Sequence, residues 1–212
     1  TVELEVSAGY MDAKQNYHHL AGTDQLHYQI LDKDFTVSPG SFFQVNNAVC
    51  EKLVKHVIDL AKVIAPHKVL ELYSGAGLFS AFLAPMVSQL IAIESTPSAC
   101  YDFANNLDAF DNVSLYEGAV EAILPGLLPL LKPEAPDLVL LDPPRAGLHP
   151  KALDTLAELA PKNIIYVSCD PSTLARDLKR LGGKGYQVQT IHAFDMFAQT
   201  YHIETVVLLS RK

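Results

Sequence analysis

Cysteine is scarce. The chain holds only Cys50, Cys100 and Cys169, an odd number set far apart. That argues against a disulfide framework and for a reducing, cytoplasmic compartment. Neither an HExxH run nor any Cys/His ligand spacing occurs, so the eight histidines predict no metal site. No apolar run is long enough to span a bilayer. Positive charge is the scarcer sign, 16 Lys and Arg against 24 Asp and Glu, for a net charge of −8. A chain so acidic is not expected to grip a nucleic-acid backbone strongly by itself. The acidity lies mainly before residue 140; beyond it Arg145, Lys151, Arg176, Lys179, Arg180 and Lys184 tilt the balance slightly to basic. Internal repeats, low-complexity tracts and coiled-coil heptads are all missing. So are an initiator methionine and a signal-peptide pattern at residues 1–6, as expected of a piece of a longer protein.

What is present is apolar material: 49% of 212 residues, enough for one globular domain with a substantial core and a small appendage. Residues 1–36 alternate loosely and predict a β-rich segment left over from a preceding domain; residues 37–212 form the main domain. Residues 25–30 and 34–37 read as short strands. Ser38-Pro39-Gly40 is a turn, and the apolar spacing from Ala48 to Ala61 predicts a helix capped by Asn46 or Asn47. From Lys68 onward strands and helices alternate. Strands are expected at 69–73, 89–94, 113–116, 137–142 and 163–168, and helices at 78–85, 97–108, 120–131, 151–159 and from Pro171. The runs 187–194 and 201–209 have no helix between them and should pair as a hairpin. Such a pattern predicts an α/β fold with a mostly parallel sheet covered on both faces. In that architecture the site lies at the carboxyl ends of the strands. Those ends carry Tyr73, Ser74 and Gly75, then Glu94, Asp142 and Cys169.

Each of these residues has a chemical use and a plainer one. Gly75-Ala76-Gly77 lets backbone approach a ligand at a helix N-terminus, or merely makes a tight turn. Glu94 can accept from both hydroxyls of a ribose, or sit solvated at a strand end. The turn has neither dinucleotide nor P-loop spacing, which disfavours nicotinamide and ATP. Asp142-Pro143-Pro144-Arg145 is stiff and donor-poor; Asp142 can bind a polar ligand and Arg145 a phosphate or carboxylate, or the run can simply close a loop. Cys169 lies between a strand and a helix that Asp170 can cap. The helix dipole favours a thiolate there, the neighbouring carboxylate opposes it, and a small buried cysteine is the alternative. Glu204 sits in an apolar strand, where an ionised carboxylate is costly unless paired, functional or open to water. Gln44 and Phe43 stand in an aromatic stretch that can meet ligand and substrate or staple the next helix. Cys50 and Cys100 fall on apolar helix stripes and read as core.

Five runs occur in fixed order: Phe42-Phe43-Gln44-Val45-Asn46, residues 71–77 (ELYSGAG), 141–148 (LDPPRAGL), 167–177 (VSCDPSTLARD) and 195–204 (DMFAQTYHIE). Together they resemble the catalytic domain of the RNA (uracil-5-)-methyltransferases, over about residues 25–212. The resemblance implies a class I, Rossmann-like fold dependent on S-adenosylmethionine, with a C-terminal antiparallel hairpin. It also implies an RNA substrate, 23S ribosomal RNA foremost and tRNA next. By matching positions Cys169 would be the nucleophile and Glu204 the base. Gln44, Tyr73, Gly75, Gly77, Glu94 and Asp142 would contact the methyl donor; Arg145 and Phe43 would contact the substrate. The chain departs from the pattern at Ala119, where an acid or amide is frequent, at Leu78 in place of Asn, and at Ala198 in place of Pro. Two other readings stay open. One is an amino-group methyltransferase working through Asp142-Pro143-Pro144, with Cys169 structural; the other is a non-catalytic domain binding S-adenosylmethionine or RNA.

Overall fold

The computed structural model describes residues 8–12, 17–200 and 202–212. Two antiparallel hairpins come first: β1 (Ala8–Met11) with β2 (Tyr17–Ala21), and β3 (Leu26–Ile30) with β4 (Lys33–Val37). The second hairpin is not loose. Ile30, Phe35 and Val37 are buried in the same apolar cluster as helix α1 (Asn47–Ile64). Asn46 caps that helix, its side-chain oxygen accepting from the Val49 N–H at 3.3 Å.

The main sheet follows from β5 (Lys68–Leu72), β6 (Gln89–Glu94), β7 (Val113–Glu117), β8 (Leu138–Leu141) and β9 (Asn163–Ser168). Between them run α2 (Leu78–Leu83), α3 (Pro97–Asn106), α4 (Val120–Leu131) and α5 (Pro150–Leu159). Helix α6 (Pro171–Gly183) then leads to β10 (Tyr186–Phe194) and β11 (Glu204–Arg211). The strand order is β10-β11-β9-β8-β5-β6-β7, with β11 antiparallel to both its neighbours and every other pairing parallel. This is the mostly parallel, doubly wound sheet with a terminal hairpin that the alternating pattern predicts. The strand order reverses between β5 and β8, the position where open α/β sheets bind ligands.

The strand residues divide between two cores at period two. Val69, Leu90, Leu138, Leu140 and Ile165 face α1 and α2; Leu70, Leu72, Ile91, Val139 and Tyr166 face α4, α5 and α6. Both faces are dry, which explains why the strands read as continuous apolar runs. Most boundaries shift by one or two residues from the sequence reading, and three of the differences have a clear cause or bear on the site. Helix α2 stops at Leu83 and continues as a 3₁₀ turn, Ala84–Met86, because Pro85 has no N–H to donate. Helix α5 begins at Pro150, behind His149, whose Nδ1 accepts from the Lys151 N–H at 3.2 Å. Strand β11 begins at Glu204, so this residue sits at the strand's mouth; Tyr201, expected to open it, lies outside the described residues.

Candidate active site

A cleft of about 1120 Å³ opens over the carboxyl ends of β5, β6, β8 and β9. Gln44, Tyr73, Gly75, Glu94, Asp142, Arg145, Cys169 and Glu204 all line it. The sequence separates these residues by up to 160 positions; the parallel strand ends bring them together.

One end of the cleft is built from the turn after β5. Tyr73 and Gly75 both take positive φ, 61° and 55°, so the chain reverses within three residues. The Gly75 N–H donates to Glu94 Oε2 at 2.9 Å. Glu94 Oε1 accepts from the N–H groups of Ser95 at 2.8 Å and Thr96 at 2.7 Å. The carboxylate is thus fixed by three backbone donors, while Oε2, with one donor, keeps an acceptor site. A Cβ on Gly75 would meet nothing within 4 Å, so its space belongs to the cleft. Burial pushes the Tyr73 phenol up to about 12, with Glu121 adding to it, so its hydroxyl stays a donor. Two polar atoms here are buried and unpartnered: Gln44 Oε1 and Ser74 Oγ.

One expected contact is corrected. Gly77 does not line the cleft. At φ 88° it opens α2, and a Cβ there would lie 2.4 Å from Leu107 Cδ2. Its glycine is required by packing against α3, not by ligand approach. Phe43 lines the cleft and also belongs to the core, its ring tilted against Tyr28 at 4.6 Å and Phe35 at 5.5 Å between centroids. The exposed aromatic is its neighbour Phe42, at 68%. Phe42 and Phe197 line the cleft with no role assigned to them by sequence, and Ser74, expected only as a strand-end residue, lines it too. The doublet Phe42-Phe43 held the signal, since two adjacent aromatics in extended chain cannot both face the core.

The other end holds the reactive groups. Register pairs Thr205 with Ser168 and Val206 with Val167 between β11 and β9. Glu204, the first residue of β11, and Cys169, just past the end of β9, therefore come to the same end of the cleft, and both line it. Glu204 is 2% exposed. Burial lifts its carboxyl to about 7, and Arg145 pulls the other way. Burial likewise raises Asp142 to about 7, with Glu204 adding to it. The Cys169 thiol is raised too, by burial first, then by Glu204 and Asp142, against Arg145. The helix N-terminus does not rescue the thiolate, because Asp170 takes its donors. Asp170 Oδ1 accepts from the Ser172 and Thr173 N–H groups, both at 2.9 Å.

The Asp142–Leu148 loop is clamped from behind by α6. Asp177, fully buried, accepts from the Leu148 N–H at 2.8 Å, the Tyr166 hydroxyl at 2.9 Å and Arg176 Nε at 2.9 Å. Arg176 also donates to the Ala146 carbonyl at 2.8 Å, and the Thr173 hydroxyl donates to the Arg145 carbonyl at 3.0 Å. Arg145 itself reaches His202 Nε2 at 3.2 Å. Ala119 lines the cleft and opens α4 without a side-chain cap. Among the described residues no group of three or more His, Cys, Asp or Glu could hold a metal ion, and no helix is long and apolar enough to cross a membrane.

Comparison with known proteins fits this geometry. An uncharacterized RNA methyltransferase of Chlorobaculum tepidum is 38% identical over 197 residues, 91% of this chain and 40% of that protein. One from Caldanaerobacter subterraneus is 37% identical over 91% of this chain and 42% of its own length. The chain therefore spans less than half of the curated relatives it matches. Among solved structures, the tRNA (uracil-54, C5)-methyltransferase of Pyrococcus abyssi, in complex with S-adenosyl-L-homocysteine, superposes with a TM-score of 0.76 at 32% identity. That match covers 89% of this chain and 45% of the other. The tRNA (Uracil-5-)-methyltransferase family model matches residues 15–123 and 130–212, and the chain belongs to that family.

Proposed function

We propose that this chain is the catalytic part of an S-adenosylmethionine-dependent enzyme that methylates carbon 5 of a uridine in ribosomal RNA or tRNA. Residues 37–212 would form the catalytic domain, and residues 1–36 the end of a preceding domain whose last hairpin packs onto it. The observation that carries the reading is that Cys169 and Glu204, from the adjoining ends of β9 and β11, line one cleft that also presents unpartnered polar atoms.

The cleft fits the methyl donor. Gln44 Oε1 and Ser74 Oγ lack partners, Gly75 leaves open space, and Glu94 keeps an acceptor site. Gln44, Tyr73, Gly75, Glu94 and Asp142 would hold it. When bound, S-adenosylmethionine supplies an electrophilic methyl group to a nucleophilic carbon. The chain's own residues make that carbon nucleophilic and then restore the ring. Carbon 5 of uracil is a weak nucleophile. The Cys169 thiolate adds to carbon 6, forming a C–S bond and pushing electrons onto carbon 5 and the carbonyl at carbon 4. After methylation carbon 5 carries a surplus proton. Glu204 removes it, the C–S electrons return to sulfur, and the double bond re-forms. A carboxyl raised to about 7 is matched to that proton transfer near neutrality. The thiol is raised as well, by burial and two carboxylates, and Arg145 favours the thiolate against them. A stacked base cannot reach either group, so an unpaired or flipped uridine is required.

The test is a pair of variants in the intact protein. Glu204→Gln should accumulate a covalent protein–RNA species on denaturing gels, and Cys169→Ala should give none and no 5-methyluridine by mass spectrometry. A 5-fluorouridine RNA should trap the wild-type adduct. Methylation of ordinary RNA by Cys169→Ala would refute the mechanism.

A further inference from the structure

Helix α3 carries a buried carboxylate that the chemistry above leaves unused. Asp102 is 0% exposed. Its hydrogen-bond donors among the described residues all come from one loop. The Ser38 N–H donates to Oδ2 at 2.8 Å, the Ser38 hydroxyl to Oδ1 at 2.6 Å, and the Ser41 hydroxyl to Oδ2. The loop lies close against α3, for a Cβ on Gly40 would sit 3.0 Å from Ser98 Oγ. One turn further along, the Asn106 side chain accepts from the Thr36 N–H at 2.9 Å and donates to the carbonyls of Thr36 at 3.1 Å and Ala76 at 2.9 Å. Helix α3 thus ties the stretch entering this loop to the turn that carries Gly75.

The same loop leads directly to Gln44. Past Ser41 its conformation is fixed by the Phe43 ring between Tyr28 and Phe35, and by Asn46 capping α1. Gln44 lies between these anchors, 4% exposed, with Oε1 unpartnered in the cleft. An orphaned amide binds well only if its direction is set in advance, because a misplaced donor or acceptor leaves a buried group unsatisfied. Desolvating a carboxylate is costly unless donors surround it, so Asp102 demands the loop positions that Ser38 and Ser41 occupy.

We propose that Asp102 is a positioning residue that, through Ser38 and Ser41, holds the 38–45 loop so that Gln44 is aimed into the donor end of the cleft. This rests on the reading of that end as the methyl-donor site. The probe is S-adenosylhomocysteine, titrated calorimetrically into the intact protein, with thermal melts alongside. Asp102→Ala should raise the Kd about tenfold, the factor that loss of one charge-assisted hydrogen bond corresponds to. Asp102→Asn should recover most of the affinity, because its oxygen accepts and its amide can donate to the Ser38 hydroxyl. In a Gln44→Ala background Asp102→Ala should add less than about a twofold loss, the signature of two residues acting as a unit. If Asp102→Ala does not fold, Ser41→Ala replaces it, with a loss of about threefold that likewise vanishes in Gln44→Ala. Asp102→Ala or Ser41→Ala binding within twofold of wild type, or an equal loss with and without Gln44, would overturn the proposal. A Gln44→Ala protein that binds as tightly as wild type would instead refute the donor-site reading on which it rests.

Discussion

Replacing Glu71 by glutamine should make the protein more stable, and by an amount that grows with pH. Glu71 sits in β5, 2% exposed, beneath α2, with the Ser80 hydroxyl donating to its carboxyl. Burial raises this group from the ordinary 4.5 to about 8; the Ser80 bond opposes the shift, and Asp142 and Glu94 add to it. Below pH 4.5 the carboxyl is protonated in both folded and unfolded chains and costs nothing. Between pH 4.5 and 8 the unfolded chain ionises while the folded chain keeps its proton. Stability therefore falls by about 1.4 kcal/mol per pH unit across that window. The loss reaches about 3 kcal/mol at pH 7 and levels off near 5 kcal/mol once the folded group ionises, above pH 8. Glutamine is neutral throughout, and its carbonyl can still accept from Ser80. Asp142 and Glu204 are raised in the same sense, but both proteins contain them, so they cancel in the difference. Urea unfolding of wild type and Glu71→Gln at several pH values from 4 to 9 gives the difference curve. It should be flat below pH 4.5, rise through neutrality in favour of the variant, and flatten above pH 8. Parallel curves, separated by a constant amount, would refute the reasoning.

Gly77→Ala should lower the melting temperature, by the roughly 1–3 kcal/mol of an overpacked contact against Leu107 plus strain at φ 88°. Gly75→Ala should cost only the strain of about 1–2 kcal/mol but weaken S-adenosylhomocysteine binding; melts and calorimetry check both, and the reverse order would contradict the assignment. Phe43→Ala should destabilise by about 3–5 kcal/mol, whereas Phe42→Ala should unfold within about 0.5 kcal/mol of wild type, as measured by chemical denaturation.

The apolar runs and their alternation with helical spacing determined the elements by themselves, because strands buried on both faces must be continuously apolar and amphipathic helices must repeat near 3.6 residues. From those elements followed the parallel sheet, the hairpin, and a site at the strand ends that carry Tyr73, Glu94, Asp142 and Cys169. What local pattern could not decide was which face a side chain takes and which distant group reaches it. Phe42 and Phe43 are the same residue type in adjacent positions, and only the hairpin of Tyr28 and Phe35 selects Phe43 for the core. Gly75 and Gly77 both have positive φ, yet one faces the cleft and the other Leu107, just past the end of α3. The state of Cys169 was balanced in sequence between a helix dipole and Asp170. The Asp170 cap takes the helix donors locally, and tertiary structure adds burial and the charge of Glu204, 35 residues away, both of which raise the thiol. Asp102 lies outside the recognised runs, and Glu71 and Asp177 lie within two of them with no role assigned, since a buried carboxylate's role is recognisable only by donors and neighbours that folding supplies from elsewhere in the chain.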